Sequence, residues 1–141
     1  MASGVYNRCK RNLFSGLFDV SGSGSHIVNV ALLTNSHAFN ADHNFWTTIS
    51  GNEVSGAGYT AGGQALTTKT VTQDDSNDRA AFDADDVTWS TSTITARFAA
   101  LYDNTLTTKD LICLFDFSSD QTSSAGNFTI QWHANGIILL T

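Results

Sequence analysis

Six aspartates fall within one short stretch: Asp74, Asp75, Asp78, Asp83, Asp85 and Asp86. Clustered carboxylates can hold calcium, or divide general-acid and general-base work between them. The spacing of a calcium-binding helix–loop–helix motif is absent, however. Aspartate in a short connection bonds its own backbone, so these acids are expected to fix turns between strands. A second group is His37, Asp42 and His43, with His26 earlier in the chain. Imidazole and carboxylate are proper ligands for zinc or a similar ion. Neither helical HExxH spacing nor paired cysteines accompany them, and structural or loop roles are expected instead.

The run GAGYTAGG (56–63) invites a phosphate-cradling role. The dinucleotide fingerprint needs GxGxxG between a strand and a helix, whereas here the third glycine comes one residue late and β-type sequence follows. A P-loop needs Lys after its glycines, and Gln64 stands there instead. A wide turn is expected, with Tyr59 either packed down or exposed at its tip. No GxSxG elbow is present, and neither Cys9 nor Cys113 sits in an active-site pattern. Trp46, Tyr59 and Trp132 offer aromatic faces that could stack on sugars, or fill a core. The expectation is therefore a chain with no catalytic, cofactor or metal site. Titration with ATP, zinc or calcium should give no saturable heat.

The elements that position these residues are mostly strands. Only the beginning has helical spacing: Val5, Cys9, Leu13 and Phe14, with Leu17 and Phe18 beyond, are expected on one face, and Asn7, Arg8, Lys10, Arg11 and Asn12 on the other. SGSGS (21–25) reads as a flexible hinge. The apolar run HIVNVALL (26–33) predicts a strand buried on both faces. Residues 38–49 fit a short helix or an ordered loop. Strands are expected at 65–71, 79–82, 87–89, 92–101, 111–117, 128–132 and 137–140. Within 92–101, Ile94, Ala96, Phe98 and Ala100 are expected to share the core face. The fold class expected is mainly β: a single antiparallel β-sandwich or jelly-roll-like barrel (25–141) preceded by a helix and hinge (1–24).

Composition narrows the partners. The chain has 141 residues, 41% of them hydrophobic, which suffices for one core. Charged residues reach only 14%, against roughly 25% in an average globular chain. Seven basic residues and a net charge of −6 supply no phosphate-binding patch, which argues against nucleic acid. Two distant cysteines make no disulfide framework, and Cys113 inside LICLFDF reads as a buried small hydrophobe. Neither a secretory signal nor a run of about 20 apolar residues is visible, so synthesis in a host cytoplasm without membrane insertion is expected.

Four segments carry a resemblance: EVSGAGYTAGG (53–63), NDRAAFDADDVTW (77–89), STITAR (92–97) and GNFTIQWHANGIILLT (126–141). Together they resemble small virion proteins of tailed bacteriophages, over nearly the whole chain and more weakly at its start. The resemblance implies a non-enzymatic capsid decoration (cement) protein on the virion surface. Its partners would be the major capsid protein and further copies of itself, three-fold in preference to two-fold. A receptor- or glycan-binding module, or a neck or tail component, is the alternative. The residues expected to meet partners are Leu13, Phe14, Leu17, Phe18 and Tyr59. Removing residues 1–19 is expected to leave the β-domain folded while weakening attachment.

Overall fold

The computed structural model describes residues 3–21 and 26–141. Strand β1 (Gly4–Val5) leads into helix α1 (Asn7–Phe14), followed by β2 (Val28–Leu33) and the single-turn helix α2 (Trp46–Ile49). Then come β3 (Gln64–Ala65), β4 (Thr70–Asp74), β5 (Arg79–Asp83), β6 (Val87–Asp103), β7 (Leu111–Ile130) and β8 (Ile138–Leu140). All strand pairings are antiparallel, in a five-stranded sheet ordered β1-β7-β6-β2-β3 and a three-stranded sheet ordered β4-β5-β8. The protein is therefore mainly β, a sandwich of two sheets with a short N-terminal helix. The sheets do not close into a barrel. Four residues of the expected hinge, 22–25, lie outside the described residues.

The larger sheet is buried on both faces, and its sequence explains why. On β2, Val28, Val30 and Leu32 point into a core shared with Phe82 of β5, Ile137 beside β8, and Cys9 of α1. Its alternate residues Ala31 and Leu33 point the other way, into a second core with Tyr6, Trp46, Ile49 and Phe98. A strand covered on both faces is apolar nearly throughout, as VNVALL is except at Asn29, whose amide is satisfied by the Gly62 carbonyl.

Strands 87–89 and 92–101 merge into β6, just as 111–117 and the expected 128–132 merge into β7, which ends at Ile130. The long pair is not uniform. Ala96 faces Gln121 but Phe98 faces Asp116, so four residues of β7 (117–120) stand opposite Arg97 alone. A bulge of this kind flips the alternation. Ile94 and Ala96 accordingly line the first core, while Phe98 and Ala100 line the second. The single face expected for these four residues is corrected by that bulge. β1 pairs with β7 only at Leu114 and Cys113. Further along β7, Ser118 and Ala125 adopt positive φ, which bends its outer edge away from a regular template.

The expected strand 65–71 is likewise divided. β3 pairs with β2, β4 pairs with β5 in the other sheet, and Thr68 at φ 49° marks the crossing between sheets. The region 38–49 forms an ordered loop ending in α2, where Trp46 stacks on Tyr102 with ring centroids 4.8 Å apart.

Candidate functional site

The residues expected to meet partners lie mainly on the N-terminal arm, and the arm is held by the core beneath it. The Tyr6 N–H donates to the Ile112 carbonyl (3.0 Å) and the Asn7 N–H to the Ala41 carbonyl (3.0 Å). Asp110, 1% exposed, accepts from Arg8 Nε (2.6 Å), Asn12 Nδ2 (2.7 Å) and the Thr108 hydroxyl (2.6 Å). Burial raises the Asp110 pKa, yet these three donors outweigh it and leave the carboxyl below its ordinary value. Asn12 thus faces inward, opposite to the helical face expected for it, because a buried carboxylate on β7's approach needs donors. Val5 is corrected too: it belongs to β1, not to the helix.

This anchoring fixes which apolar side chains are covered. Cys9 enters the first core, with burial pushing its thiol up to about 12, and Cys113 is held above its ordinary value by the same cause. Leu13, four residues after Cys9, is half-buried against that core. Phe14 sits five residues after Cys9, roughly 140° round the helix, and is 95% exposed. Leu17 is exposed, whereas Phe18 packs onto the core with its ring edge on His26. The single helical face expected for these residues is therefore divided. Phe14 and Leu17 are free, and Leu13 and Phe18 are partly committed.

Tyr59 is occupied internally. Its hydroxyl donates to Glu53 Oε1 (2.7 Å) and accepts from the Leu32 N–H (3.0 Å), and its ring tilts against Trp89. Glu53 Oε1 also accepts the Gly62 N–H (2.6 Å), while the Gly62 carbonyl accepts from Tyr102 (2.8 Å) and Asn29 (3.1 Å). The glycines here serve close approach of backbone to backbone. A Cβ on Gly63 would lie 1.9 Å from the Val30 carbonyl oxygen, and one on Gly56 would lie 2.1 Å from that of Thr93. Only glycine fits. The glycine run is a clasp of the loop onto the sheet.

The acidic group is divided: Asp74, Asp75 and Asp78 sit at the β4–β5 turn, Asp83 lies within β5, and Asp85 and Asp86 tie distant segments together. Asp74 accepts from Ser76, Asn77 and Arg79, and it is held below its ordinary value chiefly by the Asn77 bond. Asp85 accepts from Thr67 and Thr68, and Asp86 from the Trp132 N–H. Among the described residues no three His, Cys, Asp or Glu side chains are grouped to hold a metal. His37 and His43 do approach, with ring centroids 6.1 Å apart, and Asp42 instead accepts from Asn7. His26 sits against Asp103, with Nδ1 and Oδ2 2.5 Å apart.

His37 carries a pH prediction. It is 3% exposed, and burial, then the neighbouring His43, lowers its pKa from the ordinary 6.5. The unfolded chain takes up this proton near 6.5 and the folded chain only at lower pH. Stability must therefore fall as pH drops through 6.5 and level off below the folded value. Asp116 behaves as the usual acid. Its bond from Arg97 (2.7 Å) holds it at about 2, so its contribution stays intact above the ordinary carboxylate range and is lost as pH falls toward 2. Urea unfolding from neutrality down to pH about 5 is expected to show the first loss in the parent and not in His37→Gln. Parallel curves for the two proteins would rule it out.

Of the aromatics able to stack on a sugar, Trp46 is buried and Tyr59 is clasped. Trp132 remains at the surface, fixed by its indole N–H on the Asp85 carbonyl (3.0 Å) and by Phe115. It borders a cleft of about 270 Å³ together with Phe117, Gln131 and His133. No helix among the described residues is long and apolar enough to cross a membrane.

What fold and surface define is a two-sheet antiparallel sandwich with an N-terminal arm packed on it, from which Phe14 and Leu17 stand exposed. No family model, curated protein or solved structure matches the chain.

Proposed function

We propose that this chain is a non-enzymatic virion structural protein that decorates a phage capsid, bridging shell subunits and adding buried area across their junctions. The reading begins from the likeness of four sequence segments to tailed-phage virion proteins. The structural observation that carries it is Phe14, an aromatic side chain 95% exposed on a helix whose backbone is anchored to the core. Phe14 does not stand alone, since Leu17, Val71 and Leu140 are exposed as well, and exposed apolar patches mark interaction surfaces. A rigid sandwich suits a mechanical part, since it transmits load without rearrangement. At roughly 25 cal/mol per Å² of apolar area, modest contacts multiplied over a shell oppose internal pressure effectively.

The expected partner is the major capsid protein, and the expected location is the outer surface of the head. Incubating the full-length protein with emptied capsids of the phage that encodes it, then pelleting the shells, tests the reading. Saturable co-sedimentation is expected. Retention in the supernatant at every concentration contradicts it. A second reading, glycan binding, is favoured by one observation only, the cleft beside Trp132. Binding of host-surface glycans by the free protein, without capsid binding, would put that reading first.

A further inference from the structure

Leu13, Phe18 and Val20 of the N-terminal arm face Val71, Phe82 and Leu140 of the smaller sheet across a cleft with no polar lining. The strand register places these residues together. Val71 pairs with Phe82 and Phe82 with Ile138, while Ala80 pairs with Gln73 and Leu140, so one face of β4, β5 and β8 is apolar except at Gln73. The space is about 70 Å³, far below the roughly 300–1,000 Å³ of small-molecule pockets. A single side chain suits it better than a cofactor or metabolite.

Two exposed apolar groups line the cleft, and two more are sequence neighbours of its lining residues. Val71 (51%) and Leu140 (52%) line the cleft, and Phe14 (95%) and Leu17 (41%) each adjoin a lining residue, Leu13 and Phe18. Charge is divided between the two ends. Among the described residues, Lys10 and Arg11 on α1 bond asparagine oxygens, Asn7 and Asn12 respectively, and no carboxylate. At the other end the β4–β5 turn carries Asp75 and Asp78 on a groove that shares Val71, Ala80 and Leu140 with the cleft. Neither acid has an ion pair among the described residues.

A surface with a knob beside a hole, and with opposite charges at its ends, is complementary to its own two-fold copy. Rotation by 180° brings each basic end against the partner's acidic end, as an isologous interface requires. We infer that the protein forms a two-fold dimer in which Phe14 of each copy enters the Leu13–Phe18–Val71–Leu140 cleft of the other, with Lys10 and Arg11 facing Asp75 and Asp78 across the rim. This deepens the coat reading, from which the expectation of self-association comes. It replaces the three-fold arrangement expected from sequence by a two-fold one.

Sedimentation equilibrium on the full-length protein, without capsids, tests the contact. The parent is expected to be a dimer. Phe14→Ser, which changes a side chain outside the fold's own packing, should weaken association about 30-fold, as loss of a central aromatic anchor does. Lys10→Asp/Arg11→Asp and Asp75→Lys should each be monomeric, and an equimolar mixture of the two should recover heterodimers. A monomeric or trimeric parent, a Phe14→Ser variant that dimerises as the parent does, or a mixture that stays monomeric overturns the proposal. A dimer that ignores capsids refutes the coat reading and leaves the contact standing. A monomer that binds capsids does the reverse.

Discussion

Phe98→Asp is expected to abolish the folded state at 37 °C. Phe98 is completely buried between Tyr6, Leu33, Trp46 and Tyr102, with the edge of His37 against its ring. Removing the ring alone costs about 3–5 kcal/mol, and a buried carboxylate with no matched donor adds several more. The sum approaches the whole stability of a domain, about 5–15 kcal/mol. Ser90→Asp, on an exposed position of the same strand, should stay within about 0.5 kcal/mol of the parent. Thermal unfolding followed by circular dichroism distinguishes them. A Phe98→Asp protein melting near the parent would mean that the second core does not exist as described.

Deletion of residues 1–19 should be equally severe. The sequence reads as an appendage there, but the structure places Tyr6 in the second core, Cys9 in the first, and Arg8 and Asn12 on Asp110. Truncation opens both cores and leaves Asp110, 1% exposed, with Thr108 as its remaining side-chain donor. Breaking a buried charged pair from one side costs about 3–5 kcal/mol, before the lost apolar contacts are counted. The truncated protein is expected to lack a cooperative unfolding transition. Tyr6→Phe provides the contrast. The Tyr6 hydroxyl is buried with no hydrogen-bond partner among the described residues and burial raises its pKa, so its removal should be neutral or slightly stabilising. A truncated chain that folds cooperatively would show that the arm is dispensable.

What the sequence made legible follows from how local each signal is. The run 28–33 announced a doubly covered strand because every position in it except Asn29 is apolar. Asp74 announced a turn because its partners Ser76, Asn77 and Arg79 lie within five residues, whereas Asp85 bonds Thr67 and Thr68 across the whole β4–β5 hairpin. Periodicity failed where distant residues decide. Phe98 changes face because four β7 residues oppose Arg97, and nothing within 92–101 encodes that count. Asn12 looked solvated because Asp110, its partner, lies 98 residues away. The proposed contact surface was half legible. Leu13, Phe14, Leu17 and Phe18 stood out as apolar residues on a short helix and its continuation. Their partners across the cleft, Val71 and Leu140, belong to a sheet whose pairing no local pattern reveals.

The central claim is location on a capsid, and a labelled cryo-electron map of the encoding phage tests it most directly. With a small tag at the C-terminus of this chain, the account predicts density at regular positions over the outer shell, repeated with the capsid's symmetry. Density confined to the neck or tail, or absent from purified particles altogether, would contradict it.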